Sequence, residues 1–318
     1  MERTLRRVQK LLDTSERVLI LLHQYPDGDT IASSLALAVY LKRAQKQVDL
    51  AVKGEVPEIF RFLPHTGWIK SDFLLGDYDL IVAVDCGDAN RTGYPHRLGQ
   101  VGRSRPLINI DHHYHNNLHK IARVNLVDES VSAAAEIIWR LLLHMEAKID
   151  SLLATYILAG IYYDTGGFQH SNVTAKTLQI AAECLRLGGR IGLVSSRISA
   201  TKSPAALKLW GRALKKMRVK PDGVVMTYLT RVDLQKCHAC ADDAAGLVNL
   251  ICAVPNSRLA ILFLQMPDGK IKVSLRTESD GVDVSKLARL FGGGGHKKAA
   301  GFSLEDAEDI ALLNRRGK

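Results

Sequence analysis

Two patterns of hydrophobic and polar positions alternate along the first half of the chain. Strand patterns occupy residues 18–23, 48–52, 80–84 and 107–110, and residues 18–23 form a continuous apolar run that is typical of a strand covered on both faces. Apolar residues at helical spacing occupy residues 30–45, 132–145, 152–163 and 174–187. Strands that alternate with helices predict an α/β domain, with a mostly parallel sheet flanked by helices.

The second half predicts a smaller α+β domain. Strand patterns cover residues 224–229, 259–266, 270–276 and 299–304, and helical patterns cover residues 205–217, 244–252 and 284–291. The sequence Pro267-Asp268-Gly269 fits the turn of a hairpin between the second and third strands. Residues 190–204 are rich in serine and lack clear periodicity, so we expect a linker there between domains at 1–189 and 205–318.

Composition places the chain among globular proteins. Of its 318 residues, 47% are apolar and 24% are charged, which excludes disordered, collagen-like and coiled-coil classes. The apolar runs are too short to span a bilayer, so no membrane association is expected. Five scattered cysteines predict a cytoplasmic protein without a disulfide framework. Cys237 and Cys240 form a CxxC pair that lacks the second pair of a zinc site, and the sequence assigns it no role.

Positive charge is concentrated in the second half of the chain. Residues 206–318 hold 19 Lys and Arg against 12 Asp and Glu, whereas residues 1–205 hold 24 against 21. A basic domain fits an anionic partner such as nucleic acid or phosphate. A well-solvated basic surface explains the same charge equally well.

Carboxylate and imidazole side chains follow three of the predicted strands. His23, Asp27 and Asp29 follow the first strand, and Asp85 follows the third. Asp111, His112 and His113 follow the fourth. Asp164 follows the helical pattern of residues 152–163. Because the carboxyl ends of parallel strands meet at one edge of a sheet, we expect these groups to form a cluster. Oxygen and imidazole ligands without thiolates suit Mn(II) or Mg(II). If residues 26–29 are considered by themselves, an ordinary polar turn explains them as well.

The order of these residues resembles the four motifs of the DHH phosphoesterase superfamily. In addition, residues 292–301, which read GGGGHKKAAG, are similar to the GGGHxxAAG signature of the DHH-associated C-terminal domain. The resemblance extends from residue 18 to about residue 304 and implies a cleft between the two domains. It also implies two bound divalent cations. Mn(II) is the expected metal, and Mg(II) and Co(II) are the alternatives. Such a pair activates water and clamps a phosphoryl group.

The resemblance assigns a role to each matching position. One cation would be held by His23, Asp27 and Asp85, and the other by Asp29, Asp85, His112 and Asp164, with Asp85 as the bridge. Asp111 and His113 would support catalysis beside Asp85. Substrate contacts would come from Ser33, Arg91, Ser274, Arg276, Gly293, Gly294, Gly295, His296 and Lys297.

Two departures from the family pattern lie outside these positions. Ala32 stands where glycine is usual, and residues 132–136 read SAAAE where a pattern richer in hydroxyl groups is usual. Neither departure is expected to touch a metal ligand.

A compact two-domain chain of this length is similar to the nanoRNase–pAp phosphatase group. That resemblance implies hydrolysis of very short RNA to mononucleotides, and of 3′-phosphoadenosine 5′-phosphate (pAp) to AMP. A phosphodiesterase for linear or cyclic dinucleotides, such as pApA or cyclic di-AMP, is the alternative enzyme. A non-catalytic nucleotide-binding regulator on the same scaffold is the alternative from another class, but the complete set of Asp and His ligands favours an enzyme. The sequence leaves the oligomeric state open, a homodimer included.

Overall fold

The computed structural model of the chain describes residues 1–101, 105–113, 117–200 and 202–305. It divides into two compact units, Met1–Thr201 and Lys202–Lys318. Within the described ranges, no helix combines the length and the apolar character needed to cross a bilayer.

The first unit is built from alternating strands and helices. Its strands are β1 (Arg17–Leu21), β2 (Gln47–Ala51), β3 (Ile69–Lys70), β4 (Leu80–Val84), β5 (Leu107–Asp111) and β6 (Val124–Val127). Its helices are α1 (Glu2–Thr14), α2 (Gly28–Arg43), α3 (Pro95–Leu98), α4 (Ala134–His144), α5 (Ser151–Asp164), α6 (Ala175–Arg186) and α7 (Ile191–Ser195).

All six strands run parallel, in the order β3-β2-β1-β4-β5-β6. The larger hydrophobic core covers one face with α1, α2, α4 and α5, and a smaller cluster around Phe73 and Tyr94 covers the other. The predicted parallel sheet with helices on both faces is confirmed. Because the strand order reverses between β1 and β4, the loops that follow these two strands diverge and leave a crevice at the carboxyl edge of the sheet.

Several elements of the first unit were not predicted. Strands β3 and β6 lie at the two edges of the sheet and are two and four residues long, which is too short for a clear pattern. Helix α1 buries Leu5, Val8 and Leu12 at helical spacing. Residues 191–195, within the predicted linker, form helix α7, and Val194 is buried in the core of the first unit.

The second unit holds one mixed sheet with helices. Its strands are β7 (Arg218–Val219), β8 (Val224–Leu229), β9 (Leu259–Gln265), β10 (Ile271–Arg276), β11 (Gly294–Gly295) and β12 (Ala299–Leu304). Its helices are α8 (Pro204–Lys216), α9 (Arg231–Cys237), α10 (Leu247–Cys252) and α11 (Val284–Arg289). The strand order is β11-β12-β10-β9-β8-β7, in which β8 and β9 are parallel and the other pairs are antiparallel. The predicted α+β class and the β9–β10 hairpin are confirmed.

Candidate metal centre and active site

The first group of expected ligands lies on the loops after β1 and β4, on either side of the crevice. His23 is buried just beyond β1, and Asp27 caps α2 by accepting hydrogen bonds from the backbone N–H groups of Asp29 and Thr30, at 3.1 Å each. Asp85 follows β4 with a φ of +59°, a left-handed conformation that Asp adopts more readily than most residues. His23 Nε2 lies 3.6 Å from Asp27 Oδ2 and 4.0 Å from Asp85 Oδ2.

A second group meets the first at Asp85. His112 Nε2 lies 3.1 Å from Asp164 Oδ2, 4.0 Å from Asp29 Oδ2 and 3.4 Å from Asp85 Oδ1. Asp29 comes from the first turn of α2, and Asp164 is the last residue of α5. Within each of the triads His23–Asp27–Asp85 and Asp29–His112–Asp164, the potential ligand atoms lie within 4.8 Å of one another. The fold thus gathers all six expected ligands and puts Asp85 within 4.0 Å of an imidazole of each triad.

The donor set fits divalent cations of the Mn(II) or Mg(II) type. Carboxylate oxygens and imidazole nitrogens are the ligands that these ions accept, and no thiolate belongs to either triad. Among the described residues, the buried atoms His23 Nε2 and Asp85 Oδ1 have no hydrogen-bond partner. Leaving such atoms buried without a partner is costly, and a bound cation would remove that cost.

The pKa values of the carboxyl groups reflect this crowding. Burial and the neighbouring Asp164 charge raise the pKa of Asp29 to about 8, and burial and the Asp29 charge raise the pKa of Asp85 well above its usual value. Burial also acts to raise the pKa of Asp27, but the neighbouring His23 imidazole outweighs it and holds this pKa at about 2. Burial acts to lower the pKa of His112, but the nearby Asp164 and Asp85 carboxylates outweigh it and raise this pKa well above its usual value. The crowded carboxyl groups thus disfavour one another's ionisation, and bound cations would offset this repulsion.

Asp29 is held by the start of α4. Its Oδ2 accepts from the backbone N–H of Ala134 at 2.5 Å, and its Oδ1 accepts from the N–H of Ala135 at 3.0 Å. The expectation that residues 132–136 do not touch a ligand is therefore corrected, because their backbone, rather than their side chains, contacts Asp29. The predicted substrate contact Ser33 is fully buried, and its hydroxyl donates to Asp29 Oδ1 at 2.9 Å. The structure thus places Ser33 behind a ligand rather than at an open surface.

A buried glutamate, which sequence reasoning missed, organises the start of α4. Glu136 Oε1 accepts from the backbone N–H of Ser132 at 3.1 Å, from its hydroxyl at 2.5 Å, and from the hydroxyl of Thr177 in α6 at 2.8 Å. Gly160 of α5 packs against Asp29 from another side. A Cβ at this position would lie 2.6 Å from Asp29 Oδ1, so a side chain there would displace the carboxylate. The sequence signal for Glu136 was its place four residues after Ser132, at the start of an apolar helix pattern.

Asp111 and His113 form a polar chain that ends at Arg91. Asp111 accepts from the backbone N–H groups of Gly87, His112 and His113 at 2.5–3.0 Å, and its Oδ1 lies 2.7 Å from His113 Nδ1. Burial acts to raise the pKa of Asp111, but the hydrogen bond from His113 outweighs it and lowers this pKa. Arg91 Nη1 lies 3.1 Å from His113 Nε2. Since Arg91 has only donors, it fixes the His113 tautomer with its proton on Nδ1.

The expected substrate residues of the second unit lie on β10 and on the glycine-rich segment. Ser274 and Arg276 are two residues apart on β10 and so share one face. Arg276 is buried, with its Nε 3.6 Å from Glu278 Oε1, and burial lowers its pKa. His296 and Lys297 are exposed between β11 and β12.

The three expected glycine contacts have different surroundings. A Cβ on Gly293 would lie 2.2 Å from the carbonyl oxygen of Gly301, and one on Gly295 would lie 2.5 Å from that of Ala299. Packing of the hairpin therefore explains why these two positions are glycine. A Cβ on Gly294 would meet nothing within 4 Å, so this exposed position leaves room for a ligand.

Comparison with known families agrees with this arrangement. Residues 17–161 match the model of the DHH family, N-terminal domain, and residues 228–316 match that of the DHHA1 domain. The first match contains the loops after β1, β4 and β5, and the second contains the glycine-rich segment.

Individual proteins resemble the chain over most of its length. A protein named bifunctional oligoribonuclease and PAP phosphatase NrnA, from Thermus thermophilus, is 30% identical over 289 residues, which cover 91% of this chain and 84% of the relative. A Mycoplasma genitalium protein of the same name is 26% identical, with 93% and 91% covered. The crystal structure of an exopolyphosphatase-related protein from Bacteroides fragilis has the same fold, with a TM-score of 0.92 at 24% identity, covering 99% of this chain and 95% of that one.

Proposed function

The chain belongs to the DHH family of phosphoesterases and is thus a hydrolase of phosphoester bonds, and we propose that it degrades very short RNA to mononucleotides and converts pAp to AMP. The NrnA-named relatives support these substrates, because they match more than nine-tenths of this chain. The observation that carries the proposal is the placement of Asp85 within 4.0 Å of an imidazole of each ligand triad.

We propose that His23, Asp27 and Asp85 hold one Mn(II) ion, and that Asp29, Asp85, His112 and Asp164 hold a second. A pair of divalent cations supplies an activated water and neutralises charge on the phosphoryl oxygens. DHH phosphoesterases depend on metals, and the buried, partnerless atoms at His23 and Asp85 support the same need in this chain.

The polar chain beside these ligands binds and orients the phosphate. Asp111 keeps the proton of His113 on Nδ1, and Arg91 approaches Nε2, so the imidazole has a single orientation. The Arg91 guanidinium has five N–H donors, of which its contact with His113 uses one. Its other N–H groups bond no residue that the structure describes and can donate to phosphate oxygens, which Arg suits because of its forked geometry.

We propose that the second unit also contributes substrate contacts. Arg276, His296 and Lys297 bring positive charge and hydrogen-bond donors, and the open position at Gly294 lets backbone approach a ligand. Because few phosphates are bound, substrate affinity should fall with salt less steeply than for a protein that binds a long duplex.

A substrate panel with purified protein and Mn(II) tests the proposal. It contains labelled di- to pentaribonucleotides, a 24-nucleotide RNA, pAp, pApA, cyclic di-AMP and inorganic pyrophosphate, each assayed with and without a chelator. Asp85→Ala protein is the control for contaminating nucleases. We expect turnover of the short ribonucleotides and pAp, little on the 24-nucleotide RNA, and none in the chelator.

Three results would change the assignment. Turnover of cyclic di-AMP and pApA alone would make the protein a dinucleotide phosphodiesterase. Turnover of pyrophosphate alone would contradict the proposed substrate class. Nucleotide binding without any hydrolysis would indicate a regulatory protein.

A further inference from the structure

The loop between β1 and α2 presents one aromatic ring to solvent. Tyr25 is 81% exposed, whereas every other residue from 21 to 30 is buried or half-buried. It lies between His23 and Asp27, two residues from each. A large aromatic side chain that buries so little of its surface gains little for the stability of the fold.

The backbone that carries this ring is fixed on both sides. The N–H of Leu22 donates to the carbonyl of Ala51 at 3.0 Å, and the N–H of Gln24 donates to the carbonyl of Arg91 at 2.6 Å. Pro26 follows with a restricted φ, and Asp27 caps α2. The backbone at Tyr25 is therefore fixed beside the ligand residues His23 and Asp27, and binding a partner on its side chain would cost little backbone entropy.

We propose that Tyr25 is the platform on which the base next to the bound phosphate stacks. This inference rests on the proposed function, since it requires a nucleotide whose phosphate is held by the neighbouring ligands. An exposed ring suits a base because every base has a π face, so stacking tolerates any sequence. A single ring without an exposed neighbour in residues 21–30 is too small to dock a protein.

The test compares Tyr25→Ala, Tyr25→Phe and Leu74→Ala on substrates with and without a base. Leu74 is a matched control because it is 72% exposed and lies in the segment between β3 and β4, which contributes none of the expected ligands or substrate contacts. The substrates are pAp and ribose 3′,5′-bisphosphate, which lacks only adenine. Calorimetric titration with AMP and ribose 5-phosphate measures binding without turnover.

Loss of stacking should raise the KM for pAp about five- to a hundredfold in Tyr25→Ala and leave kcat close to wild type. The KM for the base-free bisphosphate and the Mn(II) content should not change. Tyr25→Phe should restore the KM for pAp, and Leu74→Ala should match wild type throughout. Calorimetry should show weaker binding of AMP, but not of ribose 5-phosphate, to Tyr25→Ala.

Equal losses on both substrates, or no loss on pAp, would overturn the stacking role while leaving the proposed function intact. Wild-type protein that hydrolyses neither pAp nor short RNA would overturn the proposed function, and the stacking role with it. The two failures are thus distinguished by the wild-type measurement alone.

Discussion

Replacing Glu136 by alanine should destabilise the first unit and loosen one metal site together. Glu136 is fully buried and accepts three hydrogen bonds, two from Ser132 and one from Thr177. These bonds join the segment before α4 to the start of α6, while the next backbone N–H groups of α4 hold Asp29. The substitution removes the common acceptor but no metal ligand.

The expected loss follows from the donors that would remain. Alanine leaves one N–H and two hydroxyl groups without their acceptor, and each buried unsatisfied donor costs about 1–3 kcal/mol. Because the hydroxyl groups can rotate towards other acceptors, we expect a loss at the lower end of the sum, about 3–5 kcal/mol. Glu136→Gln keeps one acceptor oxygen and should lose about 1–2 kcal/mol.

Urea unfolding followed by circular dichroism measures the stability, and Mn(II) titration followed by electron paramagnetic resonance measures the metal sites. In Glu136→Ala we expect weaker binding of one Mn(II), by about 10- to 100-fold, and unchanged binding of the other, because Asp29 belongs to one triad. A stability loss below about 1 kcal/mol together with wild-type Mn(II) affinities would refute the reasoning. Partial recovery of both readouts in Glu136→Gln would separate loss of the acceptor from general damage.

Three further predictions concern the shared ligand, the second unit and acid stability. Asp85→Ala should abolish hydrolysis and lower the bound Mn(II) while far-UV circular dichroism stays native; near-wild-type turnover would show that the bridge is misassigned. Arg276→Ala should raise the KM for a diribonucleotide about 10- to 100-fold with unchanged metal content, since a charge-assisted bond contributes about 1.5–3 kcal/mol; unchanged kinetics would remove Arg276 from the substrate site. Burial acts to raise the pKa of Asp233, but hydrogen bonds from Lys216 and Arg212 outweigh it and hold this pKa below its usual value. The ionised form therefore stabilises the fold above about pH 4, so Asp233→Asn should be less stable than wild type at pH 7, and urea unfolding should show this difference shrinking as the pH falls below 4.

The central strands and the expected ligands could be read from the sequence. Residues 18–21 of β1 and all of β4 are apolar, because both faces of these central strands are covered. His23 and Asp27 lie on the loop after β1, Asp85 directly follows β4 and His112 directly follows β5. The parallel arrangement brings these positions to one edge of the sheet.

The supporting contacts could not be read in the same way. The amide contacts to Asp29 join residues 105 and 106 positions apart, and the bond from Thr177 to Glu136 spans 41 positions. Every non-proline residue has a backbone N–H group, so the sequence does not indicate which two of these groups donate hydrogen bonds to Asp29. Ser33 likewise matches a substrate position in the sequence. Only the tertiary structure shows that Ser33 is buried and that its hydroxyl donates to Asp29.

The sequence by itself determined the fold class, the order of the central strands along the chain, and which carboxylate and imidazole groups follow them. Local pattern suffices there, because burial on two faces selects apolar runs and the ligands are adjacent to those runs. Only the tertiary structure revealed the edge strands β3 and β6, the packing of α7 into the core of the first unit, and the hydrogen bonds from the start of α4 to Asp29. These features depend on contacts between segments far apart in the chain, and such contacts leave no periodic signal in either segment.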